Sequence, residues 1–160
     1  MNLAAETDEQ ELRELYRELI LDHAKSPRHF GTLDGATHTA EGVNPLCGDK
    51  LKMYLQLNDE RTIEDAAFEG SGCAISVASA SLLTETVIGR SADDARRYFR
   101  TLVATLGAGD SAAADAQIEL GKLRALEGVR EYPSRVKCAT LAWHALDAAL
   151  REDARPASTE

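Results

Sequence analysis

The segment 50–57 constrains the fold of this chain most, because apolar and polar residues alternate along it. The apolar positions are Leu51, Met53, Leu55 and Leu57, and the positions between them are Lys52, Tyr54 and Gln56. Such alternation is typical of a strand with one face on the core and the other in water. Segments 37–43 and 62–69 carry weaker strand patterns, and turn residues separate them from segment 50–57. We therefore predict a small antiparallel meander of three strands.

The remaining periodic segments predict helices, because their apolar residues recur every three or four positions. A first helix is predicted over about residues 8–24, and helices over 73–88, 92–106 and 118–128 follow the meander. A last helix runs from Pro133 to about Leu150, with the proline in a first turn that tolerates it. The predicted apolar face of the first helix consists of Leu12, Leu15, Tyr16, Leu19 and Ile20.

Length and charge limit the classes of function that are open to the chain. Its 160 residues suffice for one packed domain, which we predict over 11–150, with disordered ends at 1–10 and 151–160. The formal net charge of -9 disfavours nucleic acid and anionic membrane as partners, since both would repel the chain. No signal peptide or membrane-spanning segment is predicted. We therefore expect a protein of the reducing cytoplasm.

Cysteines and one aspartate are the chemically most informative residues. Three cysteines are an odd number in a chain without an export signal, which argues against a disulfide framework. Cys47 and Asp49 lie in the first turn of the predicted meander. Cys73 follows the third strand, and Cys138 lies near the start of the last helix. A meander brings its first turn and the end of its third strand to one end of the sheet, so Cys47 and Cys73 can meet.

We predict that these four residues converge on one metal ion. Cys73 at a helix N-terminus, and Cys138 beside Arg135 and Lys137, are both expected to favour the thiolate form. Three neighbouring thiolates repel one another unless a cation lies between them, and three sulfurs with one oxygen suit tetrahedral zinc or iron in a cluster. Spacing alone leaves the alternative open, because no CxxC pair is present and a single cysteine is often just a small buried apolar residue.

Several segments together resemble one known family. They are 15–23, Pro27-Arg28, the run Asn44-Pro45-Leu46-Cys47-Gly48-Asp49, 68–76 and 137–143. The chain from about 11 to 150 resembles the iron–sulfur assembly proteins of the NifU/IscU family, and it looks most like the SufU branch. The resemblance implies an α+β fold with a three-stranded antiparallel sheet covered by helices. It also implies a metal site made of Cys47, Asp49, Cys73 and Cys138.

Departures from the IscU pattern favour the SufU branch. Lys137 stands where IscU scaffolds carry a histidine, which removes an obvious further cluster ligand. The stretch 100–121 matches an extra segment that SufU proteins have before the last helix. A chaperone-binding motif containing Pro-Pro is replaced by Tyr132-Pro133-Ser134-Arg135. These departures favour a sulfur acceptor over a protein that holds a stable cluster.

A SufU-like protein is implied to be a zinc-bound sulfur acceptor with sulfurtransferase activity alongside a partner enzyme. The partner is a pyridoxal-phosphate cysteine desulfurase of the SufS type, and Cys47 takes its persulfide sulfur. The resemblance further implies that a partner histidine takes over one zinc position and so frees Cys47. The sulfur then passes to a downstream SUF scaffold or to apo-proteins. Arg135 is a possible supporting residue, although ordinary surface charge is the simpler interpretation.

Two other functions stay open at this point. The first is an IscU-like scaffold, which builds a labile iron–sulfur cluster on the same three cysteines, with Asp49 as the weak ligand. The second is a structural zinc domain, against which the predicted exposed loop positions of Cys47 and Asp49 argue. The histidines expected at the surface, rather than among the ligands, are His23, His29 and His38.

Overall fold

The computed structural model describes residues 3–108, 114–152 and 155–158 of the chain. Its elements are, in order, α1 Leu3–Lys25, β1 His38–Asn44, β2 Asp49–Leu57, β3 Ile63–Ser71, α2 Ala74–Val87, α3 Ala92–Thr105, a 3-10 helix Gly121–Val129, α4 Pro133–Leu150 and β4 Ala157–Ser158. Each predicted strand and helix has a counterpart, with boundaries shifted by a few residues, and the short helix predicted at 118–128 is of the 3-10 type. The predicted α+β class is confirmed.

The sheet has four strands in the order β3-β2-β1-β4, so the prediction of three strands is wrong. The meander β1-β2-β3 is antiparallel, as predicted. The additional strand is very short, and its Ala157 and Ser158 pair in parallel with Gly42 and Val43 of β1. A strand of this length carries no readable alternation, and it forms because the chain after α4 reaches the free edge of β1.

The sequence predicts one domain over residues 11–150 with disordered ends at 1–10 and 151–160. These domain boundaries stay a prediction. Helix α1 begins at Leu3, inside the stretch 1–10, and residues 1–2 lie outside the described part. Strand β4 belongs to the tail 151–160, of which 153–154 and 159–160 are not described. Residues 109–113, inside the segment 100–121, are likewise outside the described part.

The alternation in β2 produces the main apolar layer of the sheet. Leu51, Met53 and Leu55 are each at most 1% exposed, and burial of such a side chain contributes about 1.5–3 kcal/mol. The opposite face is less wet than predicted, since Tyr54 is also buried. Its hydroxyl donates a hydrogen bond to Glu69 on β3, which satisfies the one polar atom of the ring. The core therefore lies mainly between this sheet and the helices.

Helix α4 packs across β1 and β2 and against α2. Its Trp143 is completely buried, and the indole N–H donates to Ser79 Oγ of α2 at 3.2 Å. A Cβ added at Gly42 of β1 would lie 3.1 Å from Leu141 Cδ1 and 3.3 Å from Ala145 Cβ. The bare glycine thus allows α4 to lie close to the strand, and this close packing fixes the position of the start of α4.

Helix α1 corrects two predictions. Leu12 and Leu15 are 46% and 61% exposed, so only the later part of the predicted apolar face, such as Ile20 at 8%, reaches the core. The surface position predicted for His23 is also wrong, because this residue is 1% exposed. Its Nδ1 lies 2.7 Å from Ser81 Oγ of α2. Local sequence could not reveal that partner, which is 58 positions away. Burial lowers the pKa of His23, so the neutral ring is favoured there.

One backbone position beside the hairpin cannot accept a side chain. Gly70 has a φ of +136°, and a Cβ there would lie 2.1 Å from Lys50 O of β2. We expect Gly70→Ala to lower the free energy of unfolding by about 2–4 kcal/mol, since the backbone or the β2–β3 pairing must shift. Denaturant titration measures this change.

The control for this substitution is Gly128→Ala in the 3-10 helix, where an added Cβ meets nothing within 4 Å. Its effect should not exceed about 1 kcal/mol in either direction. Equal stabilities of the two variants would contradict the close β2–β3 approach at Gly70.

Candidate metal centre

The turn between β1 and β2 positions Cys47 and Asp49. Asn44 and Asp49 face each other as the last pair of the β1–β2 ladder. The backbone N–H groups of Cys47 and Gly48 both donate to Asn44 O, at 3.2 and 2.8 Å. Gly48 has a φ of +74°, a left-handed conformation that glycine adopts without strain. The turn therefore leaves Cys47 exposed near its tip, whereas Asp49 at its base is only 4% exposed.

Cys73 caps the N-terminus of α2, in agreement with its predicted position at the start of a helix. Its backbone is extended, with φ -69° and ψ 168°, and its Sγ accepts the Ser76 N–H at 3.5 Å. A side-chain acceptor at this place satisfies one of the unpaired N–H groups of the first turn. The side chain is exposed, so one side of the thiol can be reached from solvent.

Cys138 lies in the second turn of α4 and is 3% exposed. Asn44 Nδ2 donates to its Sγ at 3.6 Å. Burial raises the pKa of the Cys138 thiol, and hydrogen bonds with Cys73 and Asp49 act in the same direction. The predicted preference of Cys138 for the thiolate form is therefore wrong for the thiol by itself. The reason is that desolvation opposes the charged form, and a neighbouring cation is needed to reverse this.

The side chains from these three elements face one another. The Cys47 and Cys138 sulfurs and one Asp49 carboxylate oxygen all lie within 4.8 Å of each other. The two sulfurs are 3.7 Å apart. Cys73 is not part of this group of three, but its Sγ lies 4.0 Å from Asp49 Oδ2. The structure thus brings the four predicted ligand residues together, and their assignment as ligands stays a prediction.

The chemistry of these donors fits zinc. Two sulfurs bound to one tetrahedral zinc at about 2.3 Å each lie about 3.8 Å apart. The observed spacing of 3.7 Å between Cys47 Sγ and Cys138 Sγ is close to that value without any movement. A soft sulfur set with one carboxylate also suits iron in a cluster, so the donors alone do not select one metal.

Two polar residues around the site were not singled out from the sequence. Ser76 is completely buried, and its hydroxyl donates to Asp49 Oδ2 at 2.7 Å. Asn44 is also completely buried and contacts Cys138, as described above. The available signals were positional: Ser76 is three residues after Cys73, and Asn44 closes the turn that carries Cys47. Neither position in the sequence reveals that Ser76 contacts Asp49 or that Asn44 contacts Cys138.

Three further predictions concern Asp49, Arg135 and the histidines. Asp49 is buried rather than exposed, which corrects that part of the sequence analysis. The Arg135 guanidinium stacks over the Tyr132 ring at 5.0 Å, which gives it a partner other than the four residues. No histidine joins the cluster of possible ligands within the described residues. His29, for example, has its Nδ1 2.9 Å from Thr84 Oγ1.

The burial of Cys138 leads to a test of thiol reactivity. In reduced protein stripped of metal by a chelator, iodoacetamide should alkylate the exposed Cys47 and Cys73 at least about 10-fold faster than Cys138. The physical reason is that Cys138 combines restricted access with a raised pKa. Peptide mass spectrometry over a time course gives the three rates. Denatured protein, in which they should become similar, is the control, and rapid labelling of folded Cys138 would contradict the burial.

Residues 15–139 match the family described as NifU-like N terminal domain. The iron-sulfur cluster assembly scaffold protein IscU of Streptococcus pyogenes serotype M1 is 41% identical over 89% of this chain and 87% of its own. The zinc-dependent sulfurtransferase SufU of Bacillus subtilis is 37% identical over 87% of this chain and 91% of its own. Both matches therefore span almost the full folded region.

Solved structures agree with these sequence matches. A putative iron-sulfur cluster assembly scaffold protein for the SUF system from Fervidobacterium islandicum AW-1 is similar with a TM-score of 0.71 and 34% identity, covering 83% of this chain and 94% of that one. A NifU-like N-terminal protein from Brucella abortus gives a TM-score of 0.75 at 26% identity, covering 88% and 95%. The chain therefore belongs to the family of NifU-like N-terminal domains, whose members include the iron–sulfur cluster assembly proteins IscU and SufU.

Proposed function

We propose that this protein is a zinc-bound sulfur acceptor for iron–sulfur cluster assembly, of the SufU type. Cys47, Asp49, Cys73 and Cys138 hold the zinc, and Cys47 accepts persulfide sulfur from a SufS-type cysteine desulfurase. The observation that carries this proposal is the convergence of sulfur and carboxylate donors around an exposed Cys47. The similarity to a zinc-dependent sulfurtransferase from Bacillus subtilis supports the same function.

Zinc in this site would keep the coordinating thiols deprotonated at neutral pH. This effect matters most at Cys138, because burial raises the pKa of its thiol. Cys138 and Asp49 are buried and suit a holding role, whereas Cys47 and Cys73 border solvent. The exposed Cys47 and Cys73 can be reached by a partner's reactive group, an access that a purely structural zinc domain does not need.

Cys47 is the best acceptor because it is the least anchored of the four residues. Within the described part of the chain its Sγ has one hydrogen-bond contact, the Cys138 Sγ at 3.7 Å. Cys73 is held by the Ser76 N–H, and Cys138 by the Asn44 amide. The exposed Cys47 side chain can therefore rotate away from the other three residues while the hydrogen-bonded backbone of its turn stays in place.

The transfer step itself is a thiol–persulfide exchange. The Cys47 thiolate attacks the terminal sulfur of the partner's persulfide, a new sulfur–sulfur bond forms on Cys47, and the bond within the partner's persulfide breaks. The partner's cysteine leaves as a thiolate, so no external oxidant or reductant is needed. The persulfide on Cys47 then passes its terminal sulfur to a downstream SUF scaffold or to apo-proteins by the same exchange.

The alternative function is an IscU-like scaffold on which a labile iron–sulfur cluster is built. The relatives from Streptococcus pyogenes and Thermotoga maritima, 41% and 38% identical, are both named as scaffolds, which favours this alternative. The same three cysteines would bind the cluster, with Asp49 as the weakly held oxygen ligand. Lys137 favours the sulfur acceptor, since a lysine offers no ligand where IscU scaffolds carry a histidine.

The cytoplasm is the proposed location, as cysteines that exchange sulfur require a reducing compartment. Among the described helices, none has the length and apolarity required to cross a bilayer. The net charge of -9 continues to disfavour nucleic acid and anionic membrane as partners.

Metal content separates the two functions. Protein purified without added metal should contain about one zinc per chain and no acid-labile sulfide, because four donors complete a tetrahedral site. Elemental analysis and a sulfide assay measure both quantities. Cys138→Ala, which removes the buried sulfur, should lose the zinc. A brown protein with stable visible absorbance and stoichiometric sulfide would instead support the scaffold.

The acceptor assignment is tested by Cys47→Ala. This variant should keep the melting temperature of the metal-free protein within about 2 °C, because the removed thiol is exposed. It should nevertheless lose all stimulation of cysteine turnover by a SufS-type desulfurase, since no thiol remains to receive the sulfur. Arg135→Ala, at an exposed side chain paired with Tyr132, is the control and should stimulate like the wild type. Undiminished stimulation by Cys47→Ala rules out Cys47 as the acceptor.

A further inference from the structure

We propose that Ser76 is a positioning residue for Asp49: its buried hydroxyl holds the carboxylate at the start of α2 in the orientation needed for metal binding. This inference rests on the proposed zinc site and adds a residue that none of the ligand assignments contains. It also gives a reason why a carboxylate can serve as a ligand at a position that is 4% exposed.

The Ser76 hydroxyl has one proton and three neighbouring acceptors. Asp49 Oδ2 lies at 2.7 Å, Cys138 O at 3.3 Å and Cys73 Sγ at 3.6 Å. The carboxylate is both the nearest and the only charged acceptor of the three, and hydrogen bonds to an ionised acceptor are about twice as strong as neutral ones. The proton therefore goes to Asp49, and the serine oxygen remains available to the Cys73 thiol.

The second carboxylate oxygen is held as well. Asp49 Oδ1 accepts the backbone N–H of Cys73 at 3.0 Å. Each oxygen thus accepts one hydrogen bond from an N–H or O–H donor, and rotation of the carboxylate about its Cβ–Cγ bond would break both of them. A carboxylate oxygen has two lone pairs, so Oδ1 still has one available for a cation. Oδ2 also has one available once the Cys73 thiol, whose Sγ lies 4.0 Å away, is deprotonated. The two donors thus fix the orientation of the carboxylate without using up its capacity to bind metal.

Gly72 provides independent support for a specific contact between Ser76 and Asp49. A Cβ added at this glycine would lie 3.1 Å from Asp49 Oδ1 and 3.1 Å from Ser76 Cβ. Both distances are shorter than ordinary van der Waals contact, so a side chain here would press on the carboxylate and on the serine together. The missing side chain of Gly72 is therefore part of what allows Ser76 and Asp49 to meet.

Removal of the hydroxyl should weaken metal binding through Asp49. Partners that orient a ligating carboxylate typically contribute about 10–100-fold in metal affinity. Ser76→Ala leaves Asp49 Oδ2 buried without this donor, so the carboxylate has a reason to rotate away from its present orientation. We expect zinc affinity to fall by about 10–100-fold, with the remaining three sulfur donors still in place.

The experiment is competition for zinc against a chromophoric chelator, with the purified full-length chain in its wild-type form and as variants. Ser79→Ala is the matched control, because Ser79 is also a completely buried serine of α2 that hydrogen-bonds to α4. Its hydroxyl donates to Ala139 O and accepts from Trp143, so it contacts none of the four ligands. Ser79→Ala should therefore bind zinc within about twofold of the wild type.

A double-mutant cycle distinguishes positioning from a general structural role. In the Asp49→Ala background, Ser76→Ala should cause no further loss of zinc affinity, because the group through which Ser76 acts is absent. A general structural role would reduce affinity equally in both backgrounds. Far-ultraviolet circular dichroism checks that each variant folds. Should Ser76→Ala fold poorly, Gly72→Ala keeps the hydroxyl, disturbs the same contact and should also lower the affinity.

The outcomes separate this inference from the proposed function. Wild-type zinc affinity, or a higher one, in Ser76→Ala overturns the positioning role, even if Cys47→Ala still abolishes sulfur acceptance. An equal loss in the Asp49→Ala background overturns it too. Conversely, stimulation of the desulfurase by Cys47→Ala overturns the sulfur-acceptor function, while the effect of Ser76 on zinc affinity would stand unchanged.

Discussion

The packing of α4 across the sheet is the contact on which the site depends. Cys47 and Cys138 are 91 positions apart, and their sulfurs meet only because the start of α4 is held at the β1–β2 turn. Gly42 lets α4 lie directly on β1, with Leu141 and Ala145 of α4 against the strand. These apolar contacts also bury Cys138, so the packing that assembles the site raises the pKa of one of its thiols.

Around the site, buried polar groups replace the apolar packing found elsewhere in the core. Asp49, Ser76 and Asn44 are all nearly or completely buried, and such groups are stable inside a protein only when they are hydrogen-bonded. Asp49 and Ser76 satisfy one another and the N-terminus of α2. Asn44 Oδ1 has no hydrogen-bond partner among the described residues, at a typical cost of about 1–3 kcal/mol. Unsatisfied groups of this kind concentrate at functional sites rather than in ordinary core.

The four candidate ligands differ in how firmly they are held, and this difference makes one of them easier to displace than the other three. Asp49, Cys73 and Cys138 each accept hydrogen bonds from donors on neighbouring elements. Cys47 lies on a turn whose backbone is fixed by Asn44 O and whose side chain is exposed. One donor can therefore move while three stay in place, an arrangement suited to exchange at Cys47 and to retention of whatever the other three bind.

The sequence by itself determined the meander, the helices and the four chemically distinctive residues, because periodicity and turn chemistry are local properties. The motifs shared with the family predicted a metal-binding role for the same four residues. Tertiary structure alone decided the fourth strand, the burial of His23 and Asp49, and the raised pKa of Cys138. It also decided the contact between Ser76 and Asp49, which are 27 positions apart. The physical reason is that burial and hydrogen-bond partners depend on which distant elements pack together, and no local pattern contains that information.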